Sequence, residues 1–223
     1  MIGDIAMPDR VQKAVERLSG QLPLLGRQQA LAAEYAAVHR AILRSLANSG
    51  RPPGRTAIAA MLSDGAVDEA LARLGADDLI VLDAAGREVV GAYPLTTEDT
   101  PHHLEVSGVS VNAMCALDAL AVAPLFDSSV EVDSRCHVTG APIRLRVEGE
   151  GIAAARPSSQ IRVGIAWQNP CGHAAHSMCR EMVFLVDEAI ALDWQAGDVG
   201  AKGLFTLDEA LDFAGRFFKP LLS

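Results

Sequence analysis

Residues 114–120 read Met-Cys-Ala-Leu-Asp-Ala-Leu, and this apolar run predicts a buried helix over residues 113–123 at the centre of the fold. Within such a helix Cys115 and Asp118 are three positions apart and share a face, so a thiol and a carboxyl group point into one pocket. Cys179 stands much later in the chain and can join them only through the tertiary fold. Two cysteines and an acid, with no adjacent histidine base, suit a soft thiophilic metal better than peptide hydrolysis.

Further segments continue this pattern in a defined order. Residues 132–136 read Val-Asp-Ser-Arg-Cys, residues 139–142 read Thr-Gly-Ala-Pro, and residues 177–179 read Ser-Met-Cys before the apolar residues 183–185. Together with the Cys115 motif they resemble the organomercurial (alkylmercury) lyase family, from about residue 30 to the C-terminus. The resemblance implies cleavage of carbon–mercury bonds, with Cys115, Asp118 and Cys179 as the catalytic residues.

The chemistry implied by this resemblance requires two thiolates and a proton carrier. Cys115 and Cys179 bind mercury and make the departing carbon more basic, while Asp118 is a possible third mercury contact. Asp118 first accepts a thiol proton and then delivers it to carbon. We therefore expect an apolar, dehydrated pocket in which the pKa of Asp118 is raised.

The same resemblance indicates what else takes part in the reaction. It implies that no organic cofactor is needed and that the mercuric ion stays bound to Cys115 and Cys179 as the product. An external low-molecular-weight thiol then acts as co-reactant and removes the ion. A mercuric reductase is the expected downstream partner.

The cysteines and the acid also have ordinary interpretations. A single cysteine on an apolar helix is usually a core residue, and a single aspartate is usually solvated. The ordered combination of motifs is what favours catalysis by Cys115, Asp118 and Cys179. The family counterpart of Cys136 is structural, and its position in a predicted strand indicates burial.

Four possible donors, Cys171, His173, His176 and Cys179, crowd one loop. Zinc sites commonly use two ligand pairs with a longer separation, so this spacing fits zinc poorly. Cys171 is then either a loop thiol or an auxiliary mercury-capturing group, and the two histidines are surface or loop residues.

Several residues near the motifs differ from those of many relatives. Asn112 and Met114 stand where aromatic residues are common, Met178 precedes the second catalytic thiol, and Arg180 occupies a position where some relatives have another cysteine. These differences bear on substrate range and product release.

Composition limits the class of protein. The chain has 223 residues, 50% of them hydrophobic, a formal net charge of −9 and four cysteines. Because no apolar stretch is long enough to cross a membrane and no signal-peptide pattern is present, we expect a soluble cytoplasmic protein with free thiols and no membrane partner. The negative charge argues against binding to a phosphate backbone.

The order of elements predicts an α+β protein in three parts. Residues 1–29 form an N-terminal helical arm with a helix over 8–19, and residues 30–93 form a winged helix-turn-helix-like domain. Residues 94–223 form the catalytic domain, a mixed, mainly antiparallel β-sheet with flanking helices.

Local signals refine these parts. Helices are predicted over residues 30–48, from a Thr56 cap through residue 62, and over 66–74, followed by a hairpin over 79–92. Strands are predicted over residues 104–109, 130–136, 143–147, 161–167 and 181–186. Thr206 and Glu209 form a capping-box signature for a final helix to about residue 218.

The winged-helix pattern raises the alternative of a thiol-based, metal-responsive regulator. Its second helix, however, has Asp68, Glu69 and a single basic residue, Arg73, and residues 30–93 contain six Arg, no Lys and eight acidic residues. This charge repels phosphates, so we expect no nucleic-acid partner. A catalytically silent mercury-binding relative is a third interpretation.

Overall fold

The computed structural model describes residues 7–223. The helices in this range are α1 (Met7–Gln21), α2 (Leu24–Gln29), α3 (Ala33–Ser49), α4 (Arg55–Ala59), α5 (Val67–Ala76), α6 (Ala116–Phe126), α7 (Glu188–Gln195) and α8 (Leu207–Phe218). The strands are β1 (Val81–Leu82), β2 (Val89–Ala92), β3 (Leu95–Thr96), β4 (His103–Val106), β5 (Val109–Ala113), β6 (Ser129–Arg135), β7 (Pro142–Glu148), β8 (Gly151–Arg156), β9 (Arg162–Ala166), β10 (Met182–Leu185) and β11 (Lys202–Thr206). The predicted α+β class is confirmed.

The strands form two sheets. The larger has eight strands in the order β1-β2-β3-β5-β4-β6-β7-β8, and the smaller has the order β10-β9-β11. Every strand pair among the described residues is antiparallel. The sequence predicted a mixed, mainly antiparallel sheet, and the mixed part of that prediction is wrong. Short turns join most neighbours, which is the connection that antiparallel strands permit.

Helix α6 lies in the middle of the molecule, as its composition predicts. Residues 116–125 are all buried, and a helix that is apolar on every side must be enclosed by other elements. It contacts β5, β6 and β7 of the larger sheet, β10 of the smaller sheet, and α8. The residues that begin this helix are therefore shielded from water on several sides.

The final helix begins as the sequence predicts. The Thr206 side chain accepts a hydrogen bond from the backbone of Glu209, and the Glu209 side chain accepts one from the backbone of Thr206. This capping box satisfies two amides at the start of α8. The helix then packs against α6 and α1.

The N-terminal half follows the predicted order of elements with local corrections. The helix predicted over 30–48 is α3, which ends at Gly50 in a left-handed conformation (φ 69°). Thr56 does not cap α4, because the helix begins one residue earlier and Gly54 is its N-cap residue. The predicted helix over 8–19 is α1, whereas residues 1–6 of the predicted arm lie outside the described residues.

The predicted hairpin over 79–92 is present as β1 and β2 and belongs to the larger sheet, whereas a winged-helix-like domain over 30–93 stays a prediction. Through β3 the hairpin pairs with β5, so the larger sheet runs without a break from the helical half into the second half of the chain. The boundary near residue 94 stays a prediction.

Other corrections concern strands and helices with weak local signals. The strand predicted over 104–109 is the hairpin β4–β5, because Ser107 and Gly108 turn the chain with positive φ angles. Strands β8 and β11 and helix α7 were not predicted from the sequence; β8 contains a single β-branched residue, Ile152, followed by three alanines. None of the helices in residues 7–223 combines the length and apolar character that a membrane crossing requires.

Candidate functional site

Cys115 lies at the N-cap of α6, one residue before the helix begins. The prediction that it lies within the helix is wrong: its backbone is extended (φ −155°, ψ 178°), and its sulfur accepts a hydrogen bond from the Asp118 backbone N–H at 3.3 Å. An N-cap side chain folds back over the first turn, so Cys115 and Asp118 still lie side by side. The capping geometry, and not a shared helical face, brings the thiol to the acid.

Cys179 reaches the same place from another part of the chain. It lies in the one-turn 3-10 helix Met178–Glu181, which leads directly into β10. One donor atom from each of Cys115, Asp118 and Cys179 lies within 4.8 Å of the other two, and the residues are 1–3% exposed. The structure thus brings together the three residues predicted as catalytic.

Asp118 has an unusual environment for a carboxyl group. Burial raises its pKa to about 7, and hydrogen bonds from the Cys115 and Cys179 thiols offset only part of this effect. Its Oδ2 atom is buried and has no hydrogen-bond partner among the described residues. The expected rise of this pKa is confirmed, and the group can take up and release a proton near neutral pH.

The two thiols are also held in their protonated forms. Burial is the largest of the effects that raise the pKa of Cys115 well above its usual value. For Cys179, a hydrogen bond with Cys115 lowers the pKa, but burial and the charges of Asp118 and Asp78 outweigh it and raise the pKa overall. Three acidic groups this close favour at most one negative charge among them at neutral pH.

A cavity of about 590 Å³ leads to Cys179. Its inner wall contains Met114, Met182 and Phe184, and its rim has charged residues such as Glu98 and Arg180. This is the apolar pocket that the chemistry requires, with a polar entrance. Met114 and Arg180, which the sequence analysis relates to substrate range and product release, both line it.

Cys136 is buried, as predicted, but it lines the same cavity as Cys179. Burial alone would raise the pKa of Cys136, but hydrogen bonds from the Thr139 hydroxyl and from the backbone of Thr139, Val138 and Val186 lower it overall. A structural role for Cys136 stays a prediction.

The sequence reading missed two residues beside the site. The sulfur of Met182 lies 3.8 Å from the sulfur of Cys115, and His102 lines the cavity with its Nδ1 atom 2.9 Å from the Ser134 hydroxyl. Burial lowers the pKa of His102 to about 4, so the imidazole is neutral near pH 7. Neither residue belongs to a motif, and only the pairing of β4 with β6 brings His102 close to Ser134.

The loop donors do not form a zinc site. Among the described residues, Cys115, Asp118 and Cys179 are the one group of three or more His, Cys, Asp or Glu side chains whose donor atoms all lie within 4.8 Å of one another. Cys171 is exposed, whereas His173 pairs with Asp78 and His176 pairs with Glu98, each at 2.9 Å. The prediction that both histidines are surface or loop residues agrees with their partial exposure.

The fold is similar to that of a solved structure. The mercury-bound form of MerB2 superimposes with a TM-score of 0.74 over 90% of this chain and 98% of that chain, at 23% sequence identity. This likeness supports the architecture of both halves of the chain.

Sequence comparisons give the family. The family model described as MerB, alkylmercury lyase, matches residues 95–219. An alkylmercury lyase from Bacillus cereus is 38% identical over 129 residues, which are 58% of this chain and 58% of that protein. The matched segment therefore spans a little over half the length of that relative.

Other relatives match over a longer part of the chain. An alkylmercury lyase from Streptomyces lividans is 31% identical over 70% of each chain. One from Pseudomonas putida is 30% identical over 76% of this chain and 77% of the relative. The chain therefore belongs to the alkylmercury lyase family.

Proposed function

We propose that this protein is an organomercurial lyase that cleaves carbon–mercury bonds by protonolysis. The observation that carries the proposal is the convergence of Cys115, Asp118 and Cys179 within 4.8 Å in a buried site. Two soft donors suit mercury, and a carboxyl group with a pKa of about 7 suits proton transfer. Family membership supports the same reaction.

The first step is attachment of the organomercurial cation to a thiol. As the sulfur of Cys115 binds mercury, its proton passes to the ionised carboxylate of Asp118, which acts as a general base. The bond to mercury compensates for the high thiol pKa, because a metal cation favours the thiolate strongly.

The second step breaks the carbon–mercury bond. Binding of Cys179 to the same mercury atom releases a second proton and increases the electron density on carbon. Protonated Asp118 then donates its proton to carbon. In total, one organomercurial cation and two thiols yield a hydrocarbon, a mercuric ion bound to two thiolates, and one proton that leaves to solvent.

Product release needs other thiols. Two external low-molecular-weight thiols exchange with the two protein thiolates, which restores the thiols of Cys115 and Cys179 and carries the mercuric ion away. The cavity that reaches Cys179 gives such molecules access. A mercuric reductase is the proposed acceptor of the mercuric ion. The reaction takes place in the cytoplasm and needs no organic cofactor, nucleic acid or membrane.

The experiment that tests this function is headspace detection of methane from methylmercury, or benzene from phenylmercury, with excess thiol. Wild type should turn over, whereas Cys115→Ser and Cys179→Ser should not. Cys171→Ser is the matched control, because this thiol is exposed and lies outside the cluster. Stoichiometric mercury uptake without any hydrocarbon would instead identify a silent mercury-binding relative.

A further inference from the structure

Asp78 is a buried carboxylate outside the cysteine cluster, and its contacts point to the loop that supplies Cys179. It follows α5, is 8% exposed, and has a left-handed backbone (φ 49°), a conformation that aspartate tolerates better than most residues. Oδ2 accepts the backbone N–H of Ala174 at 3.1 Å and lies 3.7 Å from Arg27. Oδ1 lies 2.9 Å from Nδ1 of His173.

Tyr93, which lies in the turn between β2 and β3 of the larger sheet, completes this network. The residue is 1% exposed; its hydroxyl donates to Oδ1 of Asp78 at 2.8 Å and accepts the backbone N–H of Ala175 at 2.9 Å. Asp78 and Tyr93 therefore bind two successive amides of the one-turn 3-10 helix Ala174–His176. A buried amide that loses such a partner carries a large desolvation cost.

The turn Ala174–His176 sets the path of the chain just before Cys179. Residues 167–173 contain no helix or strand, and the turn Ala174–His176 is followed almost at once by the turn that contains Cys179. The Ser177 backbone amide bonds the carbonyl of Ala174, so the two turns are directly coupled. Strand β10 holds Cys179 from its C-terminal side, so on the N-terminal side the position of this thiol depends on the anchor at the first turn.

The network also affects the second thiol electrostatically. The charge of Asp78 is one of the factors that raise the pKa of Cys179. Burial, followed by the charges of Cys179 and Asp78, raises the pKa of Tyr93, so its hydroxyl stays protonated as a donor.

We propose that Asp78 and Tyr93 are positioning residues that hold the Ala174–His176 turn and thereby set Cys179 in place opposite Cys115 and Asp118. They act through the loop backbone and do not touch the substrate. The inference rests on the proposed function for its role in turnover, but the placement of Cys179 can be tested without turnover.

The test uses two conservative substitutions in the full chain. Tyr93→Phe removes the hydroxyl that bridges Asp78 and Ala175, and Asp78→Asn removes the charge but keeps the shape. We expect each to lower the single-turnover rate of hydrocarbon release by about 10- to 100-fold, the range found when a residue that orients a metal ligand is removed. Tyr35→Phe and Asp77→Asn are the matched controls and should keep the wild-type rate.

Two readouts separate positioning from general stability. The first is the alkylation profile of Cys179, the time course of its reaction with iodoacetamide at one pH, measured by peptide mass spectrometry. It should be faster in Tyr93→Phe, which leaves every charge in place but releases the loop that buries this thiol. The second is the coordination of added mercuric ion, measured by X-ray absorption in the presence of a competing thiol. Tyr93→Phe should retain less of the mercury bound to two protein sulfurs than wild type does.

The outcomes distinguish this inference from the proposed function. Wild-type rates, alkylation profiles and mercuric-ion binding in both variants would overturn the positioning role, even if their unfolding midpoints fell. If wild type releases no hydrocarbon, the lyase function fails, but the alkylation and mercuric-ion measurements still decide whether Asp78 and Tyr93 place Cys179.

Discussion

The backbone amide of Asp118 donates a hydrogen bond to the sulfur of Cys115 at 3.3 Å, so the thiol caps the helix that supplies the acid. This contact fixes the thiol and the carboxyl group relative to each other before any substrate binds. It also means that one side chain has two functions, as a helix cap and as a proposed mercury ligand.

Replacement of Cys115 should separate these two functions. Serine is a good N-cap residue, so Cys115→Ser should keep the thermal unfolding midpoint near that of wild type while single-turnover hydrocarbon release falls at least about 10³-fold. Cys115→Ala should lose the same activity and also about 0.5–2 kcal/mol of the free energy of unfolding. Equal stability of the serine and alanine variants would show that the cap contributes little.

Asp118→Asn should stabilise the protein at alkaline pH. The pKa of Asp118 is about 7 in the folded protein and near 3.8 when unfolded, so the folded state binds the extra proton between these values. Stability from this group is present below about pH 4 and is lost as the pH rises to about 7. The neutral amide avoids that loss, and urea unfolding at pH 8 should show a gain on the order of 2–4 kcal/mol over wild type. At pH 4 the two proteins should be similar; the same difference at both pH values would contradict the raised pKa.

The rate of the reaction should depend on the same group. In the resting enzyme Asp118 must be ionised to accept the first thiol proton, so kcat/KM for phenylmercury should rise with pH and level off above about 7. The measurement is initial benzene release from pH 5 to 8 at a fixed concentration of thiolate, which keeps product release constant. A profile that is flat across this range would rule out Asp118 as the base.

Gly91 tests how closely the larger sheet packs against the site. A Cβ atom at this position would lie 2.6 Å from Cε of Met114 and 2.9 Å from the carbonyl oxygen of Leu95. Gly91→Ala should therefore cost about 1–3 kcal/mol of unfolding free energy, and the displaced Met114 should disturb the cavity wall next to Cys115. Gly151→Ala is the control, because its Cβ would have only an ordinary contact at 3.7 Å. Urea unfolding of both variants measures the difference.

Local signals predicted a large part of the fold. The capping box at Thr206 and the hairpin β1–β2 are both present, because each depends on residues close together in sequence. The prediction of a single strand over 104–109 is wrong: Ser107 and Gly108 form a turn between β4 and β5, and the prediction overlooked this Ser-Gly turn signal.

In the candidate site too, some residues were predictable from local sequence and others were not. Cys115 and Asp118 were recognisable from their spacing and their motif, although the motif did not show that Cys115 precedes the helix and caps it. Met182 and His102 were not recognisable, because Met182 reaches Cys115 through the packing of β10 against α6 and His102 reaches Ser134 through the pairing of β4 with β6. Non-local pairing depends on the whole fold, so no short window of sequence contains it.

The sequence by itself determined the family motifs, the apolar helix α6 and the identity of the thiols and the acid, because side-chain chemistry and short-range spacing are properties of the chain. Only the tertiary structure decided that Cys179 meets Cys115 and Asp118 within 4.8 Å, and that burial raises the pKa of Asp118 to about 7. Both depend on segments that are far apart in sequence and that together exclude water from the three acidic groups.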